Sequence, residues 1–264
     1  MSLPDAAGAR LLGHHDALLL SRVEDAGLNA SAPPQQRWMD GWLVRTNVGK
    51  AQRARCINAV ADGRQPVPDK LAACAGLYRA LGLPLLFRIT PFTRPAELDA
   101  VLVQAGYALH DPTLVMVLPG LEAVALDPGP LPPGLQWREL AAADYAQAVG
   151  ALRGSPTGER AAHAERLQAS PVPYRGFALL RDGAVQACGQ WAQEGDLAGL
   201  YDVATAPSAR RQGLAAWLCK RLLTLSISES GARSGYLQVG GDNEAAQRVY
   251  RRLGFEDAYT YHYR

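Results

Sequence analysis

The chain has 264 residues, 27 Lys and Arg against 25 Asp and Glu, a formal net charge of +2, and 48% hydrophobic residues. That length is ample for one large or two ordinary cores, and the composition excludes an intrinsically disordered chain. With no long Lys/Arg stripe, the near-neutral balance speaks against nucleic acid as a partner. No run approaches the ~18 apolar residues of a membrane span, and the N-terminus has no basic-then-apolar signal pattern. A cytoplasmic protein without a membrane partner is expected. Cys56, Cys74, Cys188 and Cys219 have no CxxC spacing, and His14, His15, His110, His163 and His262 have no ligand spacing. Reduced buried thiols are therefore expected, and no metal.

In chain order, residues 1–13 read as a short flexible leader. His15 to Gly27 carries a helical apolar period, broken by "NASAPP". A strand starts at Trp42, and a second in "RCINAVADG" ends on an Asp62-Gly63 turn. The spacing predicts a helix from about Asp69, as its cap, to Gly82. "LPLLFRIT" reads as a strand, "PAELDAVLVQAG" as a helix with Pro95 near its first position, and "TLVMVL" as a strand. Leu118 to Gly134 contains five prolines, which neither helices nor central strands accept. A boundary is expected there, with domains at 1–118 and 135–264 and a linker at 119–134.

The second half predicts a strand at "LQWREL", helices at Asp144–Arg153 and Glu159–Ala169, and a hairpin across Asp182-Gly183. A strand at "DLAGLYDVAT" follows, then an amphipathic helix over Gly213–Ser230, a strand "GYLQV", a helix "NEAAQRVYRRLG" and a last strand "FEDAYTYHY". Gly106-Tyr107 and Gly254-Phe255 stand 148 residues apart, and each closes a strand–helix–strand run. A tandem duplication is expected.

Tyr201 to Leu223 reads as a strand, a short basic turn and a helix start. The first amides of a helix lack intrahelical acceptors, and the helix dipole adds partial positive charge there. Arg210 and Arg211 add two full charges before Gly213. Such a turn suits a phosphate or pyrophosphate.

The turn Arg210-Arg211-Gln212-Gly213-Leu214-Ala215 resembles the acyl-CoA motif of the GNAT N-acetyltransferase superfamily, Arg/Gln-x-x-Gly-x-Gly/Ala. Asn243, Ala246, Tyr250, Gly254 and Phe255 follow in the order of that family's next helix. Positions three, four and seven apart share a helical face. The resemblance covers about 135–263. It implies an α/β (α+β) fold of two GNAT-like lobes, each a mixed, mostly antiparallel sheet flanked by helices.

It implies further that acetyl-CoA is the cosubstrate and a primary amine of a small molecule or protein the acceptor, with direct attack on the thioester and no metal. Val203 and Thr205 would bond the pantetheine arm through their backbone, and the amides of Arg211 to Ala215 would hold the pyrophosphate beside Arg210. Asn243 would contact the pantetheine amides, and Ala246 would leave room for them. Tyr250 would protonate the leaving thiolate; a packed core aromatic is the competing reading of that residue. A regulatory CoA-binding pseudoenzyme and another acyl-CoA donor are the alternatives. A monomer or homodimer is expected.

The family's carboxylate position, four before Val203, is Gly199 here. Strand alternation puts Asp202 on the face opposite Tyr201 and Val203, and Glu194 and Asp196 lie in the preceding turn. The base stays open. Trp191 reads as core or as pocket lining. Leu102 and Pro95 stand where a first-lobe Tyr and Asn would, so residues 1–118 are expected to be a lobe without cofactor binding that shapes the acceptor pocket or the interface between lobes. Gly154 to Arg175 is expected to supply the rest of that pocket.

Overall fold

Alternation of side chains along the strands decides which helix lies on which face. The computed structural model describes residues 8–49 and 51–264. Among these the order is α1 (Ala17–Ala30), β1 (Gln36–Met39), β2 (Trp42–Arg45), β3 (Ile57–Ala59), α2 (Val67–Ala80), β4 (Phe87–Ile89), α3 (Leu98–Gln104) and β5 (His110–Pro119). The second half adds β6 (Gln136–Leu140), α4 (Ala142–Leu152), α5 (Thr157–Gln168), β7 (Tyr174–Arg181), β8 (Ala184–Glu194), β9 (Leu197–Thr205), α6 (Leu214–Ser230), β10 (Ser234–Gly240), α7 (Glu244–Arg252) and β11 (Glu256–Tyr263).

All strands form one sheet in the order β1-β2-β3-β4-β11-β5-β10-β9-β8-β7-β6. It is mixed and mostly antiparallel, with helices on both faces, as the sequence predicts. On β5, Leu114, Met116 and Leu118 pack under α6 and α7, while Val115 and Val117 face α1. On β4, Phe87 and Ile89 pack with α2 and α3, and Arg88 reaches Glu24 of α1. Ala178 and Leu180 of β7 lie under α4, whereas Phe177 and Leu179 belong to the α6 side. Thus α1, α4 and α5 cover one face and α2, α3, α6 and α7 the other.

The 148-residue repeat shows in the pairing. β3 and β4 are parallel neighbours, as are β9 and β10. Beside each parallel pair lies the last strand of the other half: β11 next to β4, and β5 next to β10. β5 and β11 pair antiparallel at the centre. The halves therefore exchange their final strands and share one sheet.

Several boundaries differ from the sequence expectation. α1 runs on to Ala30, its start capped by Asp16, which accepts from the amides of Leu18 and Leu19. α2 begins at Val67 after Pro66, not at Asp69, because Pro68 fits a first turn whose amides have no acceptor. α3 starts at Leu98 and not at Pro95. A hairpin the hydrophobic pattern does not reveal joins β1 to β2 through Asp40 and Gly41, both left-handed. The leader expected over 1–13 lies outside the described residues up to residue 7. Beyond it Leu11 bridges to Tyr259, and Leu12 N–H bonds Ala258 O at 2.8 Å, which ties the segment to β11. No helix among the described residues is long and apolar enough to cross a membrane.

Candidate active site

Two features of β9 build the site. First, β9 and β10 are paired only from Leu197–Ser234 to Leu200–Leu237. Beyond that the strands part, and the β10-facing edge of β9 over residues 201–205, with Val203 and Thr205 on it, has no strand partner among the described residues. Second, Gln190 pairs with Tyr201 and Cys188 with Ala204, so Asp202 and Val203 stand opposite Gly189 alone. This is a bulge, with Asp202 left-handed at φ 52°.

The bulge corrects the expectation for Asp202. An extra residue interrupts the period of two, so Asp202 projects on the same face as Tyr201, toward α4 and α5. Val203 points the other way, toward Leu218 and Leu222 of α6. Gly199 lacks the family carboxylate for a steric reason: a Cβ there would lie 2.4 Å from Tyr236 Cζ and 2.6 Å from Tyr201 Cε2. Glu194 and Asp196 are engaged by α1, Glu194 by Asn29 Nδ2 at 2.9 Å and Asp196 by Arg22. Trp191 is core, stacked 5.5 Å from Phe177 at 4°.

At the far end of β9 the chain turns into α6. Arg210, Arg211, Gln212 and Gly213 are exposed, Leu214 is buried and Ala215 half-buried. Arg211 and Gly213 are left-handed, with φ of 60° and 75°. Such a curl gathers successive N–H groups into an anion-binding concavity. Among the described residues no side chain caps α6, and its first internal bond is from Trp217 N–H to Gly213 O. The amides of Arg211 to Ala216 therefore have no acceptor among the described residues.

Asn243 caps α7: its Oδ1 accepts from Ala246 N–H at 3.2 Å, leaving its NH₂ for another partner. Ala246 lies half-buried against the α6 core, and Tyr250 is 9% exposed beside Phe255. Burial, helped by the Cys219 thiol, pushes the Tyr250 phenol well above its ordinary range. The Asn-Ala-Tyr series is thus brought to one helix, with the asparagine at its cap.

On the opposite face, a cavity of about 240 Å³ opens at the bulge. α4 and α5 line it, with Asn47, Gly49, Ala51 and Ala54 of the first half. Asp202 is its anchor: Arg153 donates to Oδ1 at 2.7 Å and Gln190 to Oδ2 at 3.0 Å, and His163 Nε2 stands 3.2 Å from Oδ2. Burial opposes the charge, but Arg153 and His163 outweigh it and hold the carboxyl well below the usual range. Asp202 is thus a fixed anion with its oxygens engaged.

One other polar atom in the cavity, Glu159 Oε2, has no hydrogen-bond partner among the described residues. Residue-type reasoning passes over this constellation, since His163 has no metal-ligand spacing. The available signal is positional: Glu159, His163 and Arg166 are four and three residues apart, one polar stripe on α5.

Residues 20–264 match the family described as "Probable histone acetyltransferase Rv0428c C-terminal". The chain belongs to this family. A curated relative, the uncharacterized N-acetyltransferase YobR of Bacillus subtilis, is 24% identical over 87% of this chain and 91% of its own length. The mycothiol acetyltransferase of Gordonia bronchialis is 31% identical over 88% of this chain and 70% of its own. A GCN5-related N-acetyltransferase from Kribbella flavida has the same fold at TM-score 0.67 and 22% identity, covering 92% of this chain and 94% of that one. A tandem GNAT protein from the clavulanic acid biosynthesis pathway superposes at TM-score 0.58 with 15% identity, over 75% and 69% of the two chains. This member of the Rv0428c family is accordingly a GNAT-type acyltransferase.

Proposed function

We propose that this protein transfers an acetyl group from acetyl-CoA to a primary amine. The observation that carries this reading is the uncapped, left-handed entry to α6 at the end of an open strand edge, with Tyr250 on the neighbouring helix. The amides of Arg211 to Ala215 and the charges of Arg210 and Arg211 would hold the pyrophosphate. The free backbone of Val203 and Thr205 and the Asn243 NH₂ would bond the pantetheine, with Ala246 leaving room for it. When bound, acetyl-CoA supplies the activated thioester.

An amine arriving neutral from the cavity side would attack the thioester carbonyl; the C–N bond forms as the C–S bond breaks, and the surplus proton on nitrogen passes to solvent water. Tyr250 gives its proton to the departing sulfur. Burial that raises the phenol weakens it as an acid, and a thiolate formed in the same dry site would be a correspondingly stronger base. We assign cofactor binding to 135–264, across the linker 119–134, and a pocket-shaping role to 1–118. One cofactor per chain, a cytoplasmic setting and no nucleic-acid or membrane partner belong to the same reading.

Thiol release from acetyl-CoA across an amine panel tests it. Tyr250→Phe should lower kcat on the order of 10²-fold while calorimetry shows acetyl-CoA still bound. An unchanged rate would remove Tyr250 as the acid. Tight binding with no turnover of any amine would favour a CoA-binding regulatory protein. Turnover with succinyl-CoA or a longer acyl-CoA alone would reassign the donor.

A further inference from the structure

The cavity at the bulge has a charge pattern that acetyl transfer alone does not require. Three arginines, Arg153, Arg160 and Arg166, line it with Glu159, His163 and Asp202. Arg153 is spent on Asp202. Arg160 is pinned at its stem: its Nε donates to Ser155 O at 2.7 Å, and it crosses α4 at Gly150, where a Cβ would lie 2.5 Å from Arg160 Cγ. Its terminal NH₂ groups bond nothing among the described residues, and Arg166, on the same wall, forms no hydrogen bond or ion pair among them, its charge acting on Asp202 through space. Two guanidinium groups thus face one unpaired carboxylate, Glu159, in a space closed on its other side by Asn47 and Gly49.

A guanidinium with its donors unused is a fork for a carboxylate or phosphate. Glu159 Oε2, held in the wall without a partner, is a hydrogen-bonding atom whose desolvation only a ligand or water can offset. At about 240 Å³ the space lies below the range of pockets for drug-sized ligands, so it takes a small molecule.

We propose that the acceptor is a small amine that also carries an anionic group, a carboxylate or phosphate, gripped by Arg160 and Arg166 while the amine is directed at the bulge of β9. This rests on the reading of the protein as an acetyltransferase. It places acceptor selection in α5 and in Asn47, Gly49, Ala51 and Ala54, away from the α6 turn and Tyr250. Glu159 takes a further N–H or O–H of the acceptor.

The test is a panel of amines matched in chain length: a neutral alkylamine, a diamine, an amino carboxylate and an amino phosphonate, with a lysine-containing peptide as a fifth arm. Turnover is read by thiol release and acceptor binding separately by calorimetry. One of the two anionic amines should exceed the neutral amine in kcat/KM on the order of 10- to 100-fold, and which one does so names the anion. Arg166→Gln should collapse that ratio toward one, and Arg166→Lys, which keeps the charge but not the fork, should restore part of it.

Equal use of the neutral amine, a preference for the diamine or the peptide, or a ratio untouched by Arg166→Gln would overturn the proposal while leaving acetyl transfer standing. Failure to bind acetyl-CoA would instead remove the acetyltransferase reading. Calorimetry of the anionic amines then still decides this one, since no binding, or binding insensitive to Arg166→Gln, overturns it.

Discussion

The phenol oxygens of Tyr201 and Tyr236 meet 2.9 Å apart beside Gly199, in the space that a side chain on that residue would fill. Both rings are buried, one on β9 and one on β10, where the two strands are about to part. The family's strand carboxylate is absent because two tyrosines stand in its place. Placing one there, with Gly199→Asp, should therefore cost stability, on the order of 1–3 kcal/mol, by overpacking. Urea denaturation reads the loss, and no gain in turnover is expected. A variant as stable as the parent and faster in turnover would mean that the tyrosine pair yields.

At the α6 entry, Gly213 has φ 75° and open space where a Cβ would be. Gly213→Ala should cost on the order of 1 kcal/mol in backbone strain and also raise the Kd for acetyl-CoA, because the methyl takes up open space in which a pyrophosphate would approach the backbone. Calorimetry and thermal unfolding separate the two effects. An unaltered Kd would argue against pyrophosphate binding at this turn.

Asp202 makes a pH prediction. Its folded-state carboxyl lies well below the ordinary value, so its contribution to stability is present above the unfolded value of about 3.9 and is lost as pH falls through the lower folded one. Asp202→Ala should cost on the order of 1–3 kcal/mol at pH 7, as Arg153 and Gln190 lose their acceptor. Parent and variant should converge in stability only in acid, below about pH 4. Denaturant midpoints across pH check this, and a difference that widens in acid would contradict the sign.

Glu24 and Arg88 tie α1 to β4 in a buried ion pair, with Tyr259 O–H donating to Glu24 Oε2 at 2.7 Å and the Arg88 guanidinium 3.9 Å from the Tyr261 ring. Burial pushes the Glu24 carboxyl up, but Arg88 and the bond from Tyr259 prevail and hold it low. Removing one partner leaves an unpaired buried charge, so Glu24→Gln should cost about 3–5 kcal/mol. The double variant Glu24→Leu with Arg88→Met should recover much of it. Chemical denaturation of the three proteins decides; a harmless single substitution would show that the pair is not energetically closed.

Much of the second half is legible in sequence. The Asp182-Gly183 hairpin, the α6 start at Gly213 and the Asn243 cap are set by residues within a turn of one another, and each stands where its local chemistry puts it. The first half reads less well. Its strands β1 to β4 are three or four residues long, too short for periodicity to speak, and the Asp40-Gly41 hairpin joins two of them without an apolar pattern.

By itself the sequence determined the helix and strand types outside β1, the repeat of 148 residues and the residues of the α6 turn, because propensity, capping and turn chemistry act over a few positions. Tertiary structure alone decided that the halves exchange their last strands, since β5 and β11 differ by a partner choice that neither pattern encodes. It also decided the face of Asp202, because one extra residue in β9 interrupts the alternation and turns Asp202 to the side of Tyr201. The cavity is likewise tertiary: Asn47, His163 and Asp202 meet there from segments far apart in the chain, and only packing across the shared sheet brings them together.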